Sequence, residues 1–229
     1  MTARLERTLN LLLTSAAVCI AAVLLYRELR PGVSVAIDDG PLRATRFIEW
    51  PEAMTLGRLS GSSSATLQVL VFSDVECPGC RAFHSLARTV QQADSLSLAV
   101  RLIPFPLPQH RFATPASRLL ECARSEGYFD TMLDVLYSHQ DSLGLKDWAS
   151  FAEEAGWPAG MRADRCAMSS EPVPYLTDAK AFGERAGVRA TPTVVVNGWR
   201  LNRVPTQAEL FEARDRVRAG RNAFGDTTR

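Results

Sequence analysis

The stretch ATLQVLVFSDVECPGCRAFH, Ala65–His84, decides how the chain folds. Its first part, Ala65–Phe72, is a β-rich apolar run of the kind found in a strand that is buried on both faces. Cys77 and Cys80 follow almost at once, and beyond them apolar residues recur at three- and four-residue spacing to about Ala93. The stretch therefore predicts a buried strand that leads into a helix at a pair of cysteines.

The rest of the chain places this strand and helix in a mixed α/β domain. Leu96–Phe105 has the pattern of a second strand, so strand, helix and strand form the unit of a parallel sheet. A run of helical segments follows. Near the end, Asn197-Gly198 separates two short β-rich runs and favours the type I′ turn of a hairpin. With a last helix from about residue 206 to 219, we predict a small mixed sheet with an all-helical insertion.

The overall composition is that of a globular protein and gives no case for nucleic-acid binding. The chain has 229 residues, of which 46% are hydrophobic and 22% charged, and its formal net charge is +1. This length suits one domain with an insertion or an appendage. The Lys and Arg residues are scattered rather than clustered, so we expect no nucleic-acid partner.

The N-terminal segment has a different character. The run from Leu9 to Tyr26 carries no charge, and as a helix it would be about 27 Å long, enough to cross a bilayer core. We interpret it as an uncleaved transmembrane helix in which Cys19 is an apolar residue. A cleaved signal peptide is the main alternative and a buried soluble helix is another, but no small-residue cleavage site follows the run.

These features divide the chain into five predicted parts. They are a cytoplasmic N-terminus at residues 1–8, the anchor (or signal) at 9–26, a linker with one or two strands at 27–64, the α/β domain at 65–220 with its helical insertion at about 109–186, and a flexible tail at 221–229.

The pair Cys77 and Cys80 has three possible roles. A disulfide across so short a loop stabilises a fold by only about 2 kcal/mol, which makes a structural staple a weak explanation. A zinc site needs four ligands, and His84 would supply at most a third, so we expect no metal. A redox centre explains more. Pro78 suits the first position of a helix, which places Cys77 at the N-cap, where unpaired N–H groups favour a thiolate.

Residues 72–84, the insertion and the segment Gly187–Leu201 together resemble the DsbA-like thiol:disulfide oxidoreductases of bacterial envelopes, most closely the membrane-anchored branch with BdbD- and DsbG-type proteins. The resemblance implies a thioredoxin-like fold with a helical insertion. It also implies that Cys77 is the nucleophile, that Cys80 is the resolving thiol, and that Pro192 is a cis-proline facing them. Substrate would bind at Pro78, Gly79, Thr191 and Pro192.

The sequence departs from this superfamily in two places. Many thioredoxin-fold enzymes carry a buried acid six residues before the first cysteine, and Val71 stands there. Asp74 is the nearest other acid, for which we expect a role in a turn or cap. The dipeptide between the cysteines is Pro78-Gly79, and its effect on the redox potential does not follow from the sequence.

Two further cysteines, Cys122 and Cys166, lie in the helical segments, 44 positions apart. If they pair, the disulfide would stabilise the fold by about 4 kcal/mol, and it would need an oxidising compartment. Two separately buried thiols are the alternative.

A thiol oxidase acts where disulfides form, which is outside the cytoplasmic membrane. We therefore expect the α/β domain on the outer side of the cytoplasmic membrane, or secreted if the N-terminal segment is cleaved.

The predicted function is an envelope oxidoreductase that introduces disulfides into unfolded or partly folded exported proteins. No metal or organic cofactor is expected, because the cysteine pair carries both electrons. A membrane reoxidase of the DsbB or vitamin K epoxide reductase (VKOR) type would regenerate the disulfide. The alternatives are a reductase or isomerase of the same fold and a non-enzymatic envelope module for binding or metal handling.

Overall fold

The computed structural model describes residues 13–15, 18 and 40–225. The chain divides into two compact units, Met1–Ile37 and Asp38–Arg229. In the first unit the described residues are helical. Most of the predicted anchor at 9–26, with Cys19, lies outside the described residues, as does the end of the predicted tail. Among the described residues, no helix combines the length and the apolar character that crossing a membrane would need.

The second unit alternates short strands with helices. Its strands are β1 (Ala44–Arg46), β2 (Arg58–Ser60), β3 (Leu67–Ser73), β4 (Leu98–Pro104), β5 (Thr193–Val196) and β6 (Trp199–Leu201). Its helices are α1 (Trp50–Ala53), α2 (Pro78–Ala93), α3 (Ala113–Ser125), α4 (Phe129–Ser138), α5 (Trp148–Glu154), α6 (Met161–Met168), α7 (Pro174–Arg185) and α8 (Gln207–Arg218).

The described strands form one sheet in the order β1-β6-β5-β3-β4-β2. Strands β3 and β4 are parallel, as the strand–helix–strand pattern predicts, whereas β5 runs antiparallel to β3. The predicted hairpin is confirmed: Val196 pairs with Trp199, and both residues of the Asn197-Gly198 turn have positive φ. The mixed sheet is thus built around β3, the strand that leads to the cysteines.

Strand β3 is buried on both faces because helices cover each side of the sheet. Val69 and Val71 point to a first face, where they pack with α2, α8 and most of the helical block. Leu70 and Phe72 point to the second face and pack against α7. The side chains alternate because successive residues of a strand point to opposite faces.

The helical segment between β4 and β5 has two parts. Helices α3 to α6 pack on one another, and α4 also contacts α2 on the first face. Helix α7 returns to the sheet and covers its second face through Ala179 and Phe182. The insertion predicted at 109–186 therefore contains a packed block, α3–α6, and a helix that belongs to the sheet.

The segment predicted as a linker at 27–64 contributes to the same sheet. Strand β1 pairs with β6, and β2 pairs with β4, so these two short strands form the opposite edges. Part of the segment is therefore integral to the domain. The strand character of residues 44–50 is visible in the sequence, but its pairing partner more than 150 residues away is not.

Candidate active site

Cys77 lies at the point where β3 has ended and α2 begins. It is the N-cap residue, with extended backbone angles (φ −78°, ψ 120°), and Pro78 opens the helix. The Cys77 carbonyl accepts the backbone N–H of Cys80 at 3.1 Å and that of Arg81 at 3.2 Å. The backbone N–H groups of Gly79 and Cys80 also lower the pKa of the Cys77 thiol, so the start of the helix favours a thiolate.

The two thiols differ in their access to solvent. Both are free, but 8% of Cys77 is exposed and only 1% of Cys80. Cys80 lies one turn inside α2, on the face of the helix that packs against the sheet, and its sulfur accepts the backbone N–H of Asp74 at 3.4 Å. An incoming disulfide or thiol therefore reaches Cys77 first.

The loop before β5 approaches the cysteines from the other side. The Thr191-Pro192 peptide bond is cis, as the family resemblance implies. The Cys77 thiol donates to the Thr191 carbonyl at 3.2 Å. Gly79 permits this approach, because a Cβ at that position would stand 3.0 Å from Pro192 Cδ and 3.8 Å from Cys77 Sγ. The residues that the sequence assigned to the site, Cys77 to Cys80 with Thr191 and Pro192, thus lie together.

The local hydrogen bonds lower the pKa of Cys77 to about 6 from an ordinary value of 9.0. The largest contribution comes from the Cys80 thiol, while burial acts in the opposite direction. The Thr191 side chain and backbone N–H groups of the first turn of α2 lower the pKa further. The buried Thr191 Oγ1 has no other hydrogen-bond partner among the described residues, so it can donate to the thiolate. Cys77 is therefore largely ionised at neutral pH.

Burial raises the pKa of Cys80 well above its ordinary value, and the neighbouring Cys77 raises it further. The Asp74 backbone and the Ser73 hydroxyl oppose this effect. One thiol of the pair is thus ready to react as a thiolate, and the other keeps its proton. A dithiol centre needs this division, because one sulfur attacks or leaves while the other waits.

Buried polar side chains hold the turn that carries Cys77. Asp74 is fully buried and accepts three hydrogen bonds: the backbone N–H groups of Glu76 and Leu107 at 2.8 and 2.7 Å, and His110 Nδ1 at 2.8 Å. It has the turn role that the sequence predicted. Gln140 donates to the carbonyls of Val75 and Cys77 at 2.6 and 3.0 Å.

Gln140 was not predicted as part of the site. It follows α4 in the helical block, more than 60 positions from the turn that it holds. Ser73 and Tyr137 were also missed, although their hydroxyls are 2.6 Å apart beside Cys80. Only a buried polar residue in an apolar pattern could have hinted at these partners, and such a pattern does not say which residues meet.

The remaining predicted residues lie elsewhere. His84 Nε2 bonds Asp134 Oδ1 at 2.7 Å, and the His84 ring lies on Tyr137, with the ring centroids 4.8 Å apart. Cys122 and Cys166 form a disulfide that joins α3 to α6, with 6.4 Å between their Cα atoms. Within the described residues, no group of three or more His, Cys, Asp or Glu side chains could hold a metal ion.

Several solved structures share this fold. BdbD from Bacillus subtilis, in its oxidised state, matches with a TM-score of 0.61 and 15% identity, over 78% of this chain and 98% of its own. DsbA from Chlamydia trachomatis matches with a TM-score of 0.59 and 18% identity, over 73% of this chain and 92% of its own. At these identities the match shows a common fold.

The curated relatives match this chain over only part of their own length. The Na(+)/H(+) antiporter NhaA 1 of Mycolicibacterium vanbaalenii is 31% identical over 163 residues, which are 70% of this chain and 26% of that protein. The corresponding antiporter of Mycolicibacterium gilvum is 30% identical over a stretch of the same length and coverage. The chain spans about a quarter of the length of these relatives.

A family model described as thioredoxin matches residues 55–215, which are well over half of the chain. These residues include the sheet from β2 onward, the cysteine pair, the helical block and the cis-proline loop. The chain therefore belongs to the thioredoxin family, and its fold is that of the DsbA-like members with a helical insertion.

Proposed function

We propose that the chain is a thiol:disulfide oxidoreductase whose Cys77–Cys80 pair alternates between dithiol and disulfide. One observation carries the proposal: Cys77 combines a helix N-cap position and a pKa of about 6 with a contact to the cis-proline loop, one turn from a buried partner thiol. Each part of this arrangement serves dithiol exchange, and none is needed for a structural disulfide.

In the oxidising direction, a substrate thiolate attacks the Cys77 sulfur of the Cys77–Cys80 disulfide. The bond between the two cysteines breaks, and Cys80 leaves with the electron pair and takes up a proton. A second substrate thiolate then attacks the substrate sulfur of the mixed disulfide, and Cys77 leaves as a thiolate. The substrate loses two electrons and gains a disulfide, and the enzyme becomes a dithiol. No metal or organic cofactor takes part in these steps.

The low pKa of Cys77 supports the oxidising direction. A stabilised thiolate makes the reduced form more stable, so the disulfide form becomes a stronger oxidant. It also makes Cys77 a good leaving group when the substrate disulfide forms. A reductase requires the opposite balance, in which the disulfide form is the more stable one.

The cis-proline loop is the proposed substrate platform. The protonated Cys77 thiol donates to the Thr191 carbonyl. As a thiolate or in a mixed disulfide, Cys77 has no proton to donate, and the carbonyl can accept an N–H from an extended substrate segment, as a strand adds to a sheet edge. Pro78 is exposed and Gly79 half-buried, so both can contact the same segment.

We place this activity outside the cytoplasmic membrane. The Cys122–Cys166 disulfide supports that location, because such bonds persist in oxidising compartments. Residues 9–26 would anchor the chain with its N-terminus inside. The substrates would be unfolded or partly folded exported proteins, and a membrane reoxidase of the DsbB or VKOR type would restore the disulfide.

The test is to mix the oxidised protein with an equal amount of a reduced two-cysteine peptide and follow both by mass spectrometry. We expect the peptide to gain a disulfide while Cys77 and Cys80 become thiols. We also expect a reduction potential well above the value of about −270 mV that is typical of thioredoxin. A value near that of thioredoxin would contradict the oxidase, and a peptide left reduced by a fully oxidised protein would contradict dithiol exchange itself.

A further inference from the structure

A pair of buried hydroxyls lies beside the less exposed thiol. Ser73 Oγ and Tyr137 Oη are 2.6 Å apart, in residues that are 5% and 2% exposed. The Ser73 hydroxyl acts on the Cys80 sulfur and opposes the rise of its pKa. The hydroxyls therefore do more than form a hydrogen bond with each other, because they also adjoin a reacting sulfur.

These hydroxyls stand close to the position where the superfamily's buried acid is missing. Val71 occupies that position, and Ser73 follows two residues later on the same face of β3, because side chains alternate along a strand. Tyr137 reaches this face from α4, in the helical block. The hydroxyl pair therefore lies two residues further along the strand than the position of the missing acid, towards the cysteines.

A small cavity of about 30 Å³ borders the hydroxyls. Its lining is largely apolar, but it includes Cys80, Ser73 and Tyr137 together with His84 and Asp134. The His84 ring packs on Tyr137, with 4.8 Å between the ring centroids. The His84 and Asp134 side chains are 18% and 37% exposed, so the solvent end of the cavity lies at this pair.

We propose that Ser73 and Tyr137 form a proton route between the Cys80 sulfur and the solvent end of this cavity. The proposal rests on dithiol exchange at Cys77 and Cys80. Ser73 contacts the reacting sulfur, whereas Tyr137 acts through Ser73. A hydroxyl pair suits this task because each hydroxyl can accept a proton and donate another, so no net charge remains in the buried site.

The route serves both directions of exchange. When Cys80 leaves a disulfide as a thiolate, a proton enters along the route and neutralises it. When Cys80 resolves a mixed disulfide, its proton leaves along the same path, its sulfur attacks the Cys77 sulfur, and the partner sulfur departs with the electron pair of the broken bond. Burial keeps the pKa of Tyr137 well above its ordinary value, and ionised Cys80 raises it further, so Tyr137 conveys the proton without staying ionised.

The other charged or titratable groups that face the cavity set the context for a pH test. They are Arg58 from β2, His84 and Arg88 from α2, and Asp130 and Asp134 from α4. Strands β3 and β4 contribute only uncharged side chains to its lining. Asp134 also pairs with Arg88 at 3.3 Å, so the solvent end of the cavity carries both signs of charge.

The test uses the full chain in detergent, in a Cys19→Ala background, reduced so that Cys122–Cys166 stays intact. An aromatic disulfide, dithiobis(nitrobenzoate), releases one coloured thiolate when Cys77 attacks it and a second when Cys80 resolves the mixed disulfide. We expect Tyr137→Phe to slow the second release by about tenfold or more at neutral pH, because positioned proton transfer typically contributes at least that much. The first release should be unchanged.

The pH profile separates proton transfer from packing. In Tyr137→Phe the second release should speed up with hydroxide concentration and approach the wild-type rate at alkaline pH. Ser73→Ala, which removes the other hydroxyl, should behave alike and covers the case in which Tyr137→Phe does not fold. Tyr175→Phe is the matched control: it removes a phenol hydroxyl that lies beside Gly57 instead, and it should change neither release.

Two results would overturn the route: a second release with wild-type rate and pH profile in both variants, or an equal slowing of both releases, which would indicate a structural role. A wild-type chain that released only the first thiolate would instead contradict the proposed function. The failure of the route and the failure of dithiol exchange are therefore distinct outcomes.

Discussion

The two pairs of cysteines in this domain have opposite designs. Cys77 and Cys80 are three positions apart, free, and differ in their pKa values. Cys122 and Cys166 are 44 positions apart and bonded between two helices. On the loop-entropy model the short pair would stabilise the fold by about 2 kcal/mol and the long pair by about 4 kcal/mol. The pair that contributes little as a staple is the one with a helix N-terminus, a cis-proline and buried hydroxyls around it.

The surroundings of each pair, rather than the thiols themselves, determine whether its disulfide is reactive or structural. Around Cys77, the Cys80 thiol, the Thr191 hydroxyl and backbone N–H groups stabilise a thiolate, so the disulfide can open and close. Cys122 and Cys166 lie on α3 and α6, which pack directly on one another, so their disulfide closes an existing contact. We therefore expect substitutions in the two pairs to have separate effects, one on activity and the other on stability.

The largest expected effect is the loss of dithiol exchange in Cys77→Ser. A serine hydroxyl is not a nucleophile at neutral pH without an activating base, so oxidation of a reduced peptide should fall to the uncatalysed background. The double variant Cys122→Ala/Cys166→Ala is the matched control, and below its unfolding transition it should keep most of the activity. An active Cys77→Ser variant, or a double variant as inactive as Cys77→Ser, would contradict the separate roles of the two cysteine pairs.

Next in size is the effect of that double variant on stability. Without the disulfide, the free energy of unfolding should fall by about 4 kcal/mol, because the denatured chain regains the entropy of an open loop. Urea denaturation, with the midpoint and slope measured for each variant, gives the value. A decrease of less than about 1 kcal/mol in the free energy of unfolding would mean that the disulfide does little to stabilise the helical block.

The pH dependence of stability should differ between the two redox states. In the dithiol, the folded pKa of Cys77 is about 6, below its unfolded value of 9.0. The unfolded chain then binds more protons between these limits, so the stability of the dithiol rises with pH from about 6 to about 9 and is lost as pH falls through about 6. The disulfide form has no such contribution.

Urea denaturation of both redox states across this range measures the difference. The stability of the dithiol minus that of the disulfide form should increase with pH. Cys80→Ala provides the control, because it removes the largest cause of the low pKa of Cys77 and should flatten the rise. A difference that stays constant, or that falls with rising pH, would contradict the thiolate assignment.

The smallest expected effect is that of Gly79→Ala. The new methyl group would press on Pro192 Cδ at 3.0 Å and displace the cis-proline loop by a few tenths of an ångström. At a cost of about 1 kcal/mol for such overpacking, exchange with a peptide substrate should slow about fivefold. Alkylation of Cys77 by iodoacetamide, which needs no platform, should change less. Equal slowing of both reactions would contradict a substrate-binding role for the cis-proline loop.

The elements that depend on local pattern were predictable. The β-rich apolar run of β3, Pro78 at the start of α2 and Asn197-Gly198 at the hairpin each carry their signal within a few residues. The mixed sheet follows from their order. The cis form of the Thr191-Pro192 bond was implied only by the family resemblance, because no local rule separates it from a trans bond.

The contacts that complete the site were not predictable, since they join distant segments. Gln140 and Tyr137 come from the helical block to the turn and the strand beside the cysteines. Their identities carry no periodic signal, and a buried Gln or Tyr is ambiguous until its partner is known. For the same reason the sequence revealed the missing acid at Val71 without showing the hydroxyls nearby.

The most direct test of the central claim is a redox titration that maps both pairs. The protein is equilibrated in glutathione buffers of graded ratio, trapped by alkylation and digested, and each cysteine is scored as free or bonded. We expect Cys77–Cys80 to interconvert between dithiol and disulfide within the glutathione range while Cys122–Cys166 stays bonded throughout. A Cys77–Cys80 pair that never forms a disulfide, or a Cys122–Cys166 bond that opens first, would contradict it.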